Sequence, residues 1–455
     1  MIRSLLLCSS LIAAPYMYGA NIAVIDSGLD FQHEELNELI WNNMVEIPDN
    51  GIDDDGNGYI DDMRGWNFAN QHAYLIDYDD EQFYLPAMDK FLDIQARAMM
   101  GQATVGEKKW AQQQIKNRDF VNSFTKYLNY AHGTHVAGIM TKGIQDIKVV
   151  DIRIIPGKAI EEEEKNLTRD IQFALEEGQE IGFIREFILK LGLLYMAKAN
   201  GTMFGEIAMY LDQANVLVAN GSFGMGIEQA RGIVTPFLLL AGGGVQPSPD
   251  LIDEFAVFYL KESRKEQQKA FAKAPNTLFV FAAGNSAVDN DMFPSLPASI
   301  GIDNSLAVGA SIGMNKLAPF SNFGAMSVDV FAPGVGIRSL APMDKMMTMS
   351  GTSQAAPYVA NLAVQVRLMN PSLTPMEVKD IIMLTIDRKG YLEGLAYSEG
   401  VINNKRAVLA AELSKDLDIR EAVKQSRSKI ADIVSEQLES EIPLYIGKPF
   451  LPSYR

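Results

Sequence analysis

Gly351-Thr352-Ser353-Gln354-Ala355-Ala356-Pro357, preceded by Met349-Ser350, leads into an apolar run from Tyr358 to Met369 that contains no further glycine. The spacing of that run predicts a helix and places Ser353 near its N-terminus. Unpaired backbone N–H groups and the positive end of the helix dipole would there face an oxyanion forming beside the Ser353 hydroxyl. Such an arrangement suits acyl transfer. Gly-Thr-Ser ahead of a helix is equally an ordinary N-cap, so the rest of the chain has to decide between the two.

A serine hydroxyl becomes a good nucleophile when a neutral imidazole takes its proton and a carboxylate orients that imidazole. The chain has four histidines, His33, His72, His132 and His135. Two of them lie in Ala131-His132-Gly133-Thr134-His135-Val136-Ala137-Gly138, which reads as the start of a helix; His33 and His72 sit in polar contexts and read as surface residues. Upstream, Asn21-Ile22-Ala23-Val24-Ile25-Asp26-Ser27-Gly28 is a short apolar run ending in an acid and a turn, as a buried parallel strand would with its acid at the carboxyl end. In open α/β sheets that end is where sites are built. The candidates therefore run Asp26, His132, Ser353. This order differs from Ser, Asp, His in α/β-hydrolases and from His, Asp, Ser in chymotrypsin-type enzymes.

With these residues in place, the sequence resembles the subtilisin-like serine proteases. The motifs that carry the resemblance are Val24-Ile25-Asp26-Ser27-Gly28, His132-Gly133-Thr134-His135-Val136-Ala137-Gly138, Gly351 to Pro357, and Phe281-Ala282-Ala283-Gly284-Asn285-Ser286. Leu306 to Ala310, Phe331 to Val335 and Gly400 to Val408 also look like the family's pattern, and the likeness runs from about Asn21 to Ala411. It implies a doubly wound, mostly parallel α/β sheet with helices on both faces. It also implies a catalytic set of Asp26, His132 and Ser353, with Asn285 donating to the oxyanion and His135 a packed structural histidine. Gln354 stands where the family usually has Met, and Tyr358 where it usually has His.

In the family, the segment matching Ser222-Phe223-Gly224 lies alongside the substrate backbone. Its continuation through Met225-Gly226 offers main chain to pair with an extended peptide as an added strand. Ala283 and Gly284 form small apolar walls on the other side, and neither segment carries an acid. The expected activity is therefore broad endopeptidase cleavage through an acyl-enzyme, with a large apolar or aromatic residue before the cut bond.

The remaining sequence bounds this reading. Of 455 residues 47% are hydrophobic, enough for a sizeable core, and the formal charge of −17 argues against nucleic acid. Arg3 followed by Ser4-Leu5-Leu6-Leu7-Cys8-Ser9-Ser10-Leu11-Ile12-Ala13-Ala14 reads as a signal peptide over residues 1–20, and hence as secretion or export to the periplasm; a buried first helix or strand is the alternative. Cleavage near Ala20 would remove Cys8, the only cysteine, and start the mature chain at its first strand, with no room for the propeptide common in the family.

Asp53, Asp55, Asn57 and Asp61 fall at positions one, three, five and nine of an EF-hand-like loop with Gly58 at the sixth, but Arg64 takes the place of the closing glutamate. Either a structural Ca2+ or a solvated Asp-Gly turn fits this pattern. No cofactor is expected for the chemistry itself.

Helical patterns near 71–129, 158–213 and 232–274 read as insertions into a peptidase domain spanning 21–411, followed by a C-terminal helical extension and tail over 412–455. The run Glu161 to Glu164 reads as a solvated helix start, and Gly242-Gly243-Gly244 as a hinge-like turn. Phe237 to Ala241 is too short to span a membrane. The expected form is a monomer acting on proteins or peptides. A catalytically inactive scaffold and a calcium-dependent surface-binding protein are the two alternatives.

Overall fold

The computed structural model describes residues 20–155, 183–241 and 245–433. The candidate signal peptide up to residue 19, the Glu161–Glu164 run, the Gly242–Gly244 turn and the chain from 434 onward lie outside the described residues.

The run that ends in Asp26 forms strand β1, Ala20–Asp26. Its side chains are buried on both faces. Ile22 and Val24 enter one hydrophobic cluster, while Ala23 and Ile25 enter another on the opposite side. This two-sided burial is why the strand reads as a continuous apolar run rather than an alternating one.

Around β1 are β2 (Gly65–Asn67), β3 (Ile147–Arg153), β4 (Val216–Gly221), β5 (Leu278–Ala282), β6 (Ser305–Ile312), β7 (Lys316–Leu317) and β8 (Val330–Pro333). After the hairpin β9 (Ile337–Ala341) and β10 (Lys345–Met349) come β11 (Asp387–Arg388) and β12 (Gly400–Val401). The main sheet has ten strands in the order β11-β12-β8-β6-β5-β4-β1-β3-β2, with β7 on β6. All its pairings from β2 to β12 along this path are parallel, and only β7 and β11 pair antiparallel. Helices cover both faces, as a parallel sheet requires. Arg118–Thr141, Thr352–Met369, Pro375–Leu384 and Asn404–Leu413 pack on one side; Phe183–Gln213, Ile227–Ala241 and Pro249–Phe271 pack on the other.

The doubly wound α/β architecture expected from sequence is the one found, with two local differences. His132 does not begin its helix. The helix starts at Arg118, capped by the Asn117 side chain, which accepts from the amides of Asp119 and Phe120, so the first insertion runs directly into the histidine segment. His33 is not a surface residue either. It is buried, its Nδ1 accepting from the Glu35 amide at 3.2 Å and its Nε2 lying 3.4 Å from the Lys345 carbonyl. A polar sequence context hid it because its partners come from a hairpin far along the chain.

That hairpin is fastened to the histidine helix. His135 Nε2–H donates to the Met347 carbonyl at 3.1 Å, and Ser339 Oγ–H donates to the His135 carbonyl at 2.8 Å. Full burial, with His132 nearby, lowers the His135 pKa to about 3, so its ring is neutral. The native state thus resists a proton that the unfolded chain accepts near 6.5. Stability from this group is complete above about pH 6.5 and declines as pH falls towards 3. Urea unfolding between pH 7 and 4.5 should show an average slope steeper by about 1 kcal/mol per pH unit in the native protein than in His135→Gln, which keeps a donor and cannot titrate. Equal slopes would mean that His135 is not buried as a neutral group.

Candidate active site

Asp26 closes β1 with 0% exposure, so its charge has to be met inside the protein. The Ser27 amide donates to Asp26 Oδ1 at 2.8 Å, and His132 Nδ1–H donates to the same oxygen at 2.7 Å. The close approach needs two glycines. Gly28 turns the chain at φ +101°, and a Cβ on Gly133 would lie 2.3 Å from the Gly28 carbonyl oxygen. Gly133 N–H then donates to Ser27 Oγ at 3.1 Å, and Asp30 N–H to Thr134 Oγ1 at 2.9 Å. Strand end and helix are joined around the imidazole.

Ser353 is the second residue of the helix Thr352–Met369. Pro357, four residues on, has no N–H to give to the Ser353 carbonyl. Ser222 fills the gap: its Oγ–H donates to that carbonyl at 2.9 Å, while its own carbonyl accepts Ser353 Oγ–H at 3.2 Å. Asn220 Nδ2–H holds the Ser222 hydroxyl at 2.9 Å. The expected substrate strand is thereby bonded to the nucleophile's own residue.

Asn285 is oriented by Thr352, whose backbone N–H and hydroxyl both donate to Asn285 Oδ1, at 2.9 and 2.8 Å. Its amide nitrogen therefore turns the other way, and a Cβ built on Gly351 would lie 3.2 Å from it. Gly284 precedes it at φ +114° and donates to Thr352 Oγ1 at 3.2 Å.

One open cavity adjoins Asn285 and is bordered by Gly226, Ile227, Glu228, Gly284, Val288 and Phe293. Of the expected substrate-side residues, Gly284 lines it. Ala283 is buried in a neighbouring apolar cluster, and Phe223 is stacked on Phe204 in the core at 5.9 Å, so these two offer backbone only. Glu228 was not anticipated; it reaches the cavity from the first turn of the helix Ile227–Ala241 and is paired with Arg231 Nη1 at 2.9 Å. A second cavity lies on the His132 side and is bordered by Gln354, the residue after Ser353.

Asp151 is another residue that sequence reading passed over. It is buried on β3 beside β1, and the Leu29 amide donates to its Oδ2 at 2.9 Å. Burial pushes its carboxyl up to about 8, with the charge of Asp26 adding to the effect. An acid inside an apolar strand was the available signal.

The acidic loop is arranged differently from its spacing. Asp53 takes the amides of Gly56, Asn57 and Gly58, and Asp61 takes those of Asn50 and Gly51. Asp55 instead gathers with Glu46 and Asp62, with one carboxylate oxygen from each within 4.8 Å of the others. Asn57 stays near this group, its amide donating to Asp55 at 3.1 Å and Asp62 at 3.0 Å. Asp62 is 0% exposed and burial raises it to about 6, while no Lys or Arg pairs with any of the three among the described residues. Hard oxygen donors collected without a protein cation suit Ca2+.

The Ser222 hydroxyl bridge makes a direct prediction. Ser222→Ala should lower stability by about 1–3 kcal/mol in denaturant unfolding, the usual cost of leaving a buried carbonyl unsatisfied. A variant as stable as the native protein would show that the Ser353 carbonyl finds another partner.

The subtilase family model matches residues 18–401. Alkaline elastase YaB from Bacillus sp. (strain YaB) is 35% identical over 142 residues, which is 31% of this chain and 35% of that protein. Subtilisin BL from Lederbergia lenta is 33% identical over 142 residues, 31% of this chain and 50% of that protein. The matched stretch thus spans between a third and half of these relatives. Among solved structures, a cold adapted subtilisin-like serine proteinase aligns over 85% of this chain and 88% of that one, at 18% identity and a TM-score of 0.44. Matched by the family model over most of its length, this chain belongs to the subtilase family.

Proposed function

We propose that the protein is a serine endopeptidase using Asp26, His132 and Ser353, with secretion or export directed by its N-terminal segment. The observation that carries this reading is the buried 2.7 Å bond from His132 to Asp26, together with Ser353 in the first turn of a helix and an Asn285 amide oriented by Thr352. Among the described residues no helix is long and apolar enough to cross a membrane.

In the proposed reaction the Ser353 hydroxyl leaves the Ser222 carbonyl and gives its proton to His132 Nε2 as Oγ attacks the scissile carbonyl carbon. Asp26 holds the imidazole through Nδ1–H and stabilises the imidazolium. Asn285 Nδ2–H and the Ser353 backbone N–H receive the oxyanion. Collapse of the tetrahedral intermediate breaks the C–N bond, and His132 returns its proton to the departing amine. Water then adds to the ester with His132 again as base, freeing the acid and restoring Ser353.

The cavity beside Asn285 supports a large apolar residue before the cut bond, since Ile227, Val288 and Phe293 border it and Glu228 is engaged by Arg231. Calcium is proposed at Glu46, Asp55 and Asp62, away from the reacting atoms, as a structural ion.

Hydrolysis of a denatured protein and labelling by a fluorophosphonate should both vanish in Ser353→Ala, and hydrolysis in His132→Ala, with the fold retained by circular dichroism. Labelling that persists without Ser353 would overturn the assignment. Asn285→Ala should lower kcat by roughly 10² to 10³ with little change in KM, a magnitude taken from the known subtilisin case rather than from this geometry.

For the ion, calcium at one hundred times its Kd should stabilise the fold by about 2.7 kcal/mol, and EDTA should reverse this. Asp62→Asn should respond to neither; a native melting curve indifferent to both would remove the site.

A further inference from the structure

The first insertion does more than lengthen the chain between Asp26 and His132. Its helix Ala87–Met99 and the leading half of the helix Arg118–Thr141 share a core with Ala341, Met347 and Met349 of the β9–β10 hairpin. The unit is firmly built. Thr104 and Glu107 form a capping box at the helix Val105–Lys116, and Arg97 grips Glu107 with two bonds of 3.2 and 2.7 Å. It stands over the histidine side of the site, where His132 is 2% and Ser353 0% exposed.

What it leaves open there is the cavity bordered by Leu92, Gln95, Phe124 and Leu128 from the insertion and by Met349 and Gln354 from the serine segment. His132 is the one titratable group on its wall. The cavity beside Asn285 has no wall residue in common with it: one is bordered by Asn285, the other by His132 and by Gln354, the residue after Ser353.

The chemistry says what each receives. The imidazole must hand its proton to the departing amine, so the residue carrying that amine lies against His132, and the acyl side lies towards Asn285. Leu92, Phe124, Leu128 and Met349 would surround the first side chain of the leaving fragment. A charged side chain there would lose its water and meet no carboxylate, Lys or Arg on the wall, only the amides of Gln95 and Gln354, the Ser350 hydroxyl and His132.

Resting on the serine endopeptidase reading, we propose that the helical insertion makes the protein select an uncharged, apolar residue immediately after the cleaved bond, with Leu92, Phe124 and Leu128 as the selecting side chains. Selection of this kind is set by parts of the chain outside the four motifs that mark the family.

The test is a peptide series identical except for the residue after the cleaved bond, carrying Leu, Met, Ala, Gly, Asp or Lys. In the native protein kcat/KM for Leu and Met should exceed that for Gly, Asp and Lys by about tenfold or more, within the range a hydrophobic pocket supplies. Phe124→Ala should shrink the Leu-to-Gly ratio by about threefold to tenfold. Half-buried Phe124 also tolerates Phe124→Lys, which should move the preference towards Asp. Equal rates across the series in the native protein would overturn the proposal.

A second arm needs no turnover. In Ser353→Ala, dye-labelled copies of the same peptides should bind with the Leu peptide at least about fivefold tighter than the Asp peptide. That order of binding, with no hydrolysis by the native protein, would refute the peptidase reading and keep the pocket. Uniform hydrolysis, or uniform binding, would refute the pocket alone.

Discussion

The short hydrogen bond between Asp26 and His132 is the constraint around which the molecule is arranged. A carboxylate at the end of a central strand, sealed from water, has to be compensated by donors of fixed geometry. Two are supplied, the Ser27 amide and the imidazole. The second comes from a helix that crosses the strand's end, and it can come so near because Gly28 and Gly133 bring backbone against backbone. The helix is held from its far side by the hairpin through His135 and Ser339. Moving any of these partners would leave a buried charge under-compensated.

The serine side follows a similar logic. A helix that carries proline at its sixth position forfeits a main-chain bond in the first turns. Here the orphaned carbonyl belongs to Ser353, and the hydroxyl that satisfies it belongs to the strand expected to lie along the substrate. A defect in regular structure thus registers Ser353 against the segment that follows β4.

How much of this could be read beforehand depended on the range of each interaction. β1, the apolar strand at Val216, and the helix opening at Ser353 were legible because two-sided burial and helical spacing leave their mark within a few residues. Helix Pro375–Leu384 likewise announces itself through Thr374 and Glu377, which form its capping box. His132's place inside a long helix was not legible, since the glycine of His132-Gly133 mimics a helix start and Asn117 lies well upstream. The acidic loop shows the same limit. Its regular spacing drew attention to Asp53 and Asp61, yet their oxygens are consumed by nearby amides, and Asp55 turns to Glu46 and Asp62 instead. Leu92 reaches the site region from an insertion, and Glu228 from a helix start, that no local pattern connects to it.

The strand order carries a consequence for synthesis. β1 leaves the ribosome before the other strands described, but one of its neighbours in the sheet is β4, and Ser353 follows β4 and β10 in the last third of the sequence. Contacts so distant along the chain form late, because the intervening segments must be ordered first. A nascent chain can therefore bury β1 against β3 and hold the imidazole while still lacking Ser353 and its Ser222 bridge. The chain's own topology brings Ser353 into place only after most of the sheet has been made.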